Sequence, residues 1–507
     1  GMKVLVVEQN TQVGGCCSSY KRGDYNFTPA ASIVTGFTKK NGICKRMIER
    51  LGIDKDIKFI DLESGYHVHL PDFDYHLYSG GDHSRQQLID QLVGIFPHEK
   101  NGINSFFKAL VKIYEQMDYG TFLDMRPKDL ARVLFKCPNL ALNAGKGIMP
   151  FVDSFVKDPK LKTVLSINST CCHLPPSNMA LLGIVGLLVE GGLSNPHVVG
   201  GAQAVPEAYA GYIRANGGDV LLGSMVDKIL VENKKACGVR VSKSLIAREK
   251  EFTEGVADTK EFRARYVISN AAARQTFRNL VGDDHLPSKY LKMLGSLELT
   301  PTFCALFLGL NMDLKSMGFV PALHIHSSTY DIDEHFRNVK AKIVDPNIPA
   351  PFFRFQLAPL SDATSAPNGK TAFVMHGIPA PVGGWEDPDF EKRVIDTMIK
   401  RAEKVIPGLS QQIEYQEFCS PVTLDKYLMC GRDASLGWAL TPKQVGFNRL
   451  APTTPIKNLY LSGHWTAPAV GVAATVISGL KTASMILKQE GVKEPLLDVG
   501  IKDGVPV

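Results

Sequence analysis

The sequence predicts an α/β fold, and three observations predict it. The first is "MKVLVVEQNTQVGG": an apolar strand from Lys3 to Val7, closed by Glu8 and followed by Gly14-Gly15. The second is "VVGGAQAVPEAYAGYIRANGGDVLLGSMVDKILVENKKACGVRV" (198–241), which reads as a glycine turn, a helix stopped by "NGG", and two strands. The third is "NLYLSGHWTAPAVGVAATVISG", a strand stopping at Gly463 and a helix beginning near Gly471. Strands that alternate with helices and lie far apart along the chain imply a sheet assembled from separated segments.

The remaining elements follow in order. "NGICKRMIERLGI" (41–53) places Ile43, Met47 and Leu51 on one helical face. In "GYHVHLPDFDYHLYSG" (65–80), polar and apolar residues alternate on both sides of "PDFD", the pattern of a hairpin. From about 84 to 190 the pattern is helical; "SRQQLIDQLVGIF" and "GINSFFKALVKIYEQM" are amphipathic. "FRARYVISNAAA" (262–273) is a strand running into a loop, and "PTFCALFLGL" (301–310) and "KTAFVMHGI" (370–378) read as strands of a second sheet. "DPDFEKRVIDTMIKRAEKVIPGL" (387–409) is a helix with Asp387 as N-cap, Pro388 in the first turn and Pro407-Gly408 as the stop.

Composition narrows the function classes. With 507 residues, 44% hydrophobic and 21% charged, the chain can bury a large core and is long enough for several domains. The net charge of +6 is spread among acids without a basic block, which argues against nucleic-acid binding. The ten cysteines contain no CxxC, which fits reduced thiols in a cytoplasmic protein. Leu459 to Leu480 carries no Asp, Glu, Lys or Arg, but Gly463, Pro468 and Gly471 break it into strand, loop and helix rather than a membrane span.

Four blocks share one chemical logic. A carboxylate at a strand end, as at Glu8, can accept hydrogen bonds from a ribose. Glycines beyond it let backbone approach a flat ring or a pyrophosphate. A strand in "GSMVDKILVE" can offer the Val226 N–H and C=O to an adenine edge, and "YVISNAAA" ends a strand on the small residues Ser269 to Ala271. A helix starting at Gly471 presents free N–H groups, which attract phosphate or the electron-rich edge of a flavin.

These blocks together resemble the phytoene desaturase, carotenoid isomerase and retinol saturase group of FAD-dependent oxidoreductases, whose fold is similar to that of the amine oxidases. "VLVVEQNTQVGGCCSSYKRGDYNF", the 198–241 block and "TPIKNLYLSGHWTAPAVGVAATVISG" carry the resemblance, which spans residues 2 to about 487. It implies a discontinuous Rossmann-like FAD domain from residues 1–80, 195–295 and 440–490. A mixed α+β cap would come from 81–194 and 296–439, and 491–507 would form a tail. It assigns Glu8 to the ribose, Gly14 and Gly15 with Cys16 and Ser18 to the pyrophosphate and flavin surroundings, and Val226 to the adenine. Ser269 and Asn270 would lie near the cofactor, with Gly463, His464, Gly471 and Val472 at the flavin end. The chain departs from the group where many relatives carry Arg instead of Cys16, Asp instead of Thr28, and an acid instead of His464. "GGCC" is nearer the isomerase and saturase branches.

The implied activity is desaturation, saturation or isomerisation of a long apolar polyene, with FAD as cofactor and an NAD(P) carrier as a further expected electron donor or acceptor. Peripheral contact with membranes is expected through the helical region. The rival readings are a flavin oxidase acting on a small amine, and a fragment that keeps the fold without catalysis. No Ser/His/Asp or paired-carboxylate arrangement emerges, so no catalytic residue is assigned. His67, His69 and His76 could approach one another on the hairpin, with His76 opposite His69 if the turn is centred on "PDFD". No carboxylate or thiol completes such a site, and no metal is assigned. No GxGxxG lies between a strand and a helix anywhere in the sequence. "GMKVLVVE" reads as a helix-capping glycine followed by a second strand, so the expectation is that a strand–glycine turn–helix precedes it and that FAD binds poorly without that segment.

Overall fold

The computed structural model describes residues 2–38, 42–79, 82–121, 135–190, 195–345, 352–492, 501–502 and 505–506. The N-terminal strand forms over Leu5–Val7 and runs parallel to Asp219–Leu221, with Leu5 opposite Asp219. Val267–Ser269 runs parallel to Leu459–Leu461. These are the parallel pairings between distant segments that the alternating pattern predicts. Among the described residues, no strand joins the two pairs. Ser224–Glu232, Lys235–Lys243 and Lys260–Arg263 form a separate antiparallel sheet with Ser224–Glu232 at one edge.

The largest sheet has seven strands, in the order Ile413–Cys419, Cys304–Leu310, Thr371–Gly377, Phe352–Gln356, Leu323–Ser327, Ser64–His69 and Asp74–Tyr78. The two strands read from "PTFCALFLGL" and "KTAFVMHGI" are antiparallel neighbours in it, Cys304 opposite Gly377. Cys304–Leu310 is buried at every residue, as suits a strand covered on both faces. The hairpin, by contrast, departs from the sequence-based grouping. Residues 64–78 extend this sheet through a parallel pairing of Ser64–His69 with Leu323–Ser327, although the sequence places them with the cofactor domain 1–80. Nothing in a hairpin's own alternation specifies its outer partner, so the assignment had no local signal.

The helices carry the caps their sequences promise. Ile43–Leu51 ends at Gly52, whose φ of 70° lets its N–H reach the Glu49 and Ile48 carbonyls. Pro388–Val405 begins at Asp387, whose carboxylate accepts the Asp389 N–H at 2.9 Å. The helical layer, Asp82–Ile95 and Lys100–Thr121 with the shorter helices to Leu181–Glu190, covers one face of the hairpin end of the sheet. Val68, Tyr75 and Leu77 meet Leu92, Ile103, Phe106 and Leu110 there in one buried cluster. Each such large apolar side chain contributes about 1.5–3 kcal/mol by leaving water. No described helix is long and apolar enough to cross a membrane.

Candidate functional site

Glu8 sits one residue beyond the first strand. Its N–H donates to the Leu221 carbonyl at 2.8 Å and its carbonyl accepts the Ser224 N–H at 2.9 Å, so the turn after the strand is fixed to the strand carrying Val226. Its Oε1 accepts the Asn10 N–H at 2.8 Å and Asn10 Nδ2 at 2.9 Å, while Oε2 has no protein partner among the described residues. Burial raises the carboxyl above its usual value, against the opposing pull of the Asn10 and Gln9 hydrogen bonds. The geometry leaves one carboxylate oxygen to accept a hydroxyl. Val226 lies at the edge strand of its sheet, opposite Val241, and packs against the cluster that contains Leu461 and Trp465.

The double glycine is required by its surroundings. Gly14 has φ 115°, and a Cβ there would stand 2.4 Å from the Cys17 carbonyl oxygen and 2.7 Å from Pro206. Gly15 has φ 56°, and a Cβ would meet nothing within 4 Å. One glycine thus admits a close turn and the other faces open space. Gln203 donates to the Val13 carbonyl at 2.8 Å, and Cys17 Sγ reaches the Ala202 carbonyl at 3.6 Å, holding this loop on the start of helix Ala204–Ala215. Ser18 is buried in the same loop.

The last block brings a second helix start to the same neighbourhood. Gly471 precedes Val472–Gln489 with φ 99°, no side chain caps the helix, and a Cβ would have open space around it. Thr475 N–H donates to the Gly471 carbonyl at 3.0 Å, which leaves the N–H groups of the preceding turn without an intrahelical acceptor. Val472, Ala473 and Cys17 pack against one apolar cluster built on Val34, Phe37 and Val205, which joins the double-glycine loop to this helix. Gly463, φ 98°, accommodates Asn270: a Cβ would stand 2.1 Å from Asn270 Nδ2. Asn270 donates instead to the Ser462 carbonyl at 2.9 Å.

Cys16 keeps exposed surface, yet surrounding protein pushes its thiol up to about 11. Burial, with the Glu417 charge adding to it, pushes Cys419 up to about 12. His464 is pulled down to about 4 by burial and then by the Arg449 charge, so it is a neutral imidazole at ordinary pH. Cys16, Cys419 and His464 are therefore uncharged at ordinary pH.

Two of the sequence-predicted residues are otherwise engaged. Ser269 Oγ is 2.7 Å from Thr276 Oγ1, and Asn270 ties the ends of two parallel strands together, so both order the backbone at these strand ends. Sequence reasoning missed Arg449. Its guanidinium donates to the carbonyls of Trp438 (3.1 Å), His464 (2.6 Å) and Thr466 (3.1 Å) and fixes the loop after Gly463. It also missed a polar cluster inside the cap. There the buried Arg354 lies 3.2 Å from His173 Nε2, and His173 Nδ1 is 2.7 Å from Ser435 Oγ. Arg354 has no carboxylate partner among the described residues, and burial lowers it from its usual value. Neither arginine stands in a motif, and only the tertiary fold surrounds them.

A family model described as flavin containing amine oxidoreductase matches residues 1–310. The chain belongs to this family. It is an FAD-dependent oxidoreductase. The chain is 26% identical to prolycopene isomerase 1 of an Oncidium hybrid cultivar, over 99% of this chain and 83% of that one. It is 24% identical to a neurosporene-forming phytoene desaturase of Rhodobacter capsulatus (96% and 90%) and 22% identical to human all-trans-retinol 13,14-reductase (96% and 82%). Among solved structures, an oxidoreductase from Methanosarcina mazei aligns with a TM-score of 0.58 at 16% identity, covering 96% of this chain and 94% of that one. Cyclohexylamine oxidase from Brevibacterium oxydans aligns at 0.56 and 14%, covering 97% and 94%. Both show the same fold.

The residues of this flavoprotein fit FAD. Glu8 Oε2 suits a ribose hydroxyl, Gly15 and Gly471 leave space where any side chain would intrude, and the free N–H groups before Thr475 suit an electron-rich edge. When bound, the flavin supplies hydride transfer. The chain's own residues would hold the cofactor, and Arg449 fixes the His464 backbone through its carbonyl.

Proposed function

We propose that the protein acts on a long apolar polyene, a carotenoid or retinoid, by desaturation, saturation or isomerisation. The observation that carries this reading is the breadth of the likeness. The three polyene and retinol enzymes match over 96–99% of the chain, so the likeness extends through the cap as well as the cofactor segments. The chemistry of the interior agrees. Cys16, Cys419 and His464 are uncharged at ordinary pH, which suits a neutral apolar substrate. Glu8, Gly14, Gly15, Val226, Gly463, Gly471 and Val472 are the proposed cofactor contacts, with Cys16, Ser18, Ser269, Asn270 and His464 around them.

In the reductive direction the flavin needs a hydride source, for which an NAD(P) carrier is the chemical match. A substrate that resides in lipid calls for peripheral membrane docking, and the helical layer is the proposed face. The test is the absorbance of bound flavin. Carotenoid or retinoid delivered in vesicles should perturb the flavin bands of the FAD-loaded chain, while small amines leave them unchanged. The reverse pattern would support the amine oxidase reading.

A further inference from the structure

We propose that His67, His69 and His324 form a binding site for a divalent transition-metal ion of the zinc class, on the cap sheet and separate from the flavin site. The sequence places three histidines on the hairpin, but two features of the fold build the site. Parallel pairing sets His324 opposite His67 and His326 opposite His69. The hairpin turn then differs from the expected one. Leu70 N–H donates to the Phe73 carbonyl at 2.9 Å, so the turn closes at 70–73, His76 pairs with His67, and Asp74 pairs with His69. Residues paired across strands share a face. Five imidazoles and the carboxylate missing from the sequence-level reading therefore stand together.

The donor atoms converge. One ring nitrogen from each of His67, His69 and His324 lies within 4.8 Å of the others. His69 Nε2 is 3.1 Å from His324 Nδ1, and the His67 and His69 ring centroids are 3.9 Å apart. Four-coordinate zinc holds imidazole nitrogens at about 2.0–2.1 Å, so small ring rotations suffice to surround an ion.

The outward hydrogen bonds set which nitrogens are bare. His324 Nε2 donates to the Val320 carbonyl at 2.9 Å, which leaves the lone pair on Nδ1. His67 Nε2 is 2.5 Å from Asp74 Oδ2, and its Nδ1 is buried with no partner. A ligating histidine usually gives its other ring N–H to a carboxylate or a backbone carbonyl, and both forms are present here. His326, whose ring stacks 4.1 Å from His69, also has a buried, unpartnered Nε2. Bare imidazole nitrogens buried without partners cost stability unless something occupies them. Imidazole donors without thiolates suit Zn²⁺, Ni²⁺ or Cu²⁺ rather than Mg²⁺ or Ca²⁺.

The test uses the tag-free full chain, stripped with EDTA and titrated with zinc sulfate against a chromophoric zinc chelator. One ion per chain is expected. His67→Gln and His324→Gln should each lose stoichiometric binding, and Asp74→Asn should keep it with about 10–100-fold weaker affinity, since Asp74 acts through His67. Circular dichroism and metal-free melting of each variant separate loss of a ligand from loss of fold. If a variant does not fold, cobalt added to the unaltered chain decides the question: intense visible bands of tetrahedral cobalt are expected, and the weak bands of octahedral cobalt would overturn the proposal. Failure to take up stoichiometric zinc would overturn it as well. So would wild-type affinity in His324→Gln, which would place the ion on His67, Asp74 and His76 instead.

Discussion

The Arg449 guanidinium donates a 2.6 Å hydrogen bond to the His464 carbonyl, from a buried position where it also reaches the Trp438 and Thr466 carbonyls. One side chain thereby sets the path of the loop between Leu459–Leu461 and the helix Val472–Gln489, whose start is the proposed flavin contact. Hydrogen bonds to a charged group are worth about 1.5–3 kcal/mol net. Arg449→Met should lower the urea midpoint by an amount equal to about 3 kcal/mol and reduce flavin occupancy. Wild-type occupancy at reduced stability would separate Arg449 from the cofactor site.

Glu8 offers one free carboxylate oxygen. Glu8→Ala should weaken FAD binding by roughly 1.5–3 kcal/mol, read by fluorescence titration. Burial raises the Glu8 pKa, so FAD affinity should begin to fall at a higher pH on acidification than an exposed glutamate would give. Glu8→Gln should remove that pH dependence. An identical profile in Glu8→Gln would assign it to another group.

At Gly471 the backbone has φ 99°, and the space around it is open. Gly471→Leu should release flavin while far-UV circular dichroism stays close to wild type. Full flavin content in this variant would show that the helix start faces elsewhere.

Several buried histidines make folding sensitive to acid. Burial lowers His335 to about 4 and His376 to about 3. An imidazole with a folded pKa below its unfolded value near 6.5 contributes stability that is present above that value and is lost as pH falls through the folded pKa. Urea midpoints should therefore drop steadily from about pH 6.5 to about pH 4. A flat profile over that window would mean that the fold accommodates these rings in their protonated form, through hydrogen-bond acceptors.

A substrate dissolved in lipid implies weak, salt-sensitive attachment. The chain, of net charge +6, should co-sediment with anionic vesicles more at low salt than at high salt. No co-sedimentation at any ionic strength would favour a water-soluble substrate.

Much of the fold was legible because it is written locally. Glu8 after an apolar strand, Gly52 and Asp387 at helix ends, and Gly14, Gly463 and Gly471 at positive φ are each specified by neighbours in sequence. What remained hidden depends on distant pairing. The alternation of His67, His69 and His76 marks a strand face but not its register or outer neighbour, and closing the turn at Leu70–Phe73 exchanged His76 for Asp74 opposite His69. Arg354 and Arg449 resemble surface arginines in the sequence. Only the packing of loops and strands from other parts of the chain buries them.

The central claim is that this flavoprotein transforms a polyene. Its most direct test is chromatographic analysis of a carotenoid and retinoid panel after incubation with the FAD-loaded chain under oxidising and reducing conditions, with Gly471→Leu as control. The account predicts a product that differs from a supplied polyene in the number or geometry of its double bonds, formed by the wild-type chain and missing with the control. Unchanged polyenes from a fully flavin-loaded chain, together with flavin reduction by a small amine, would contradict it.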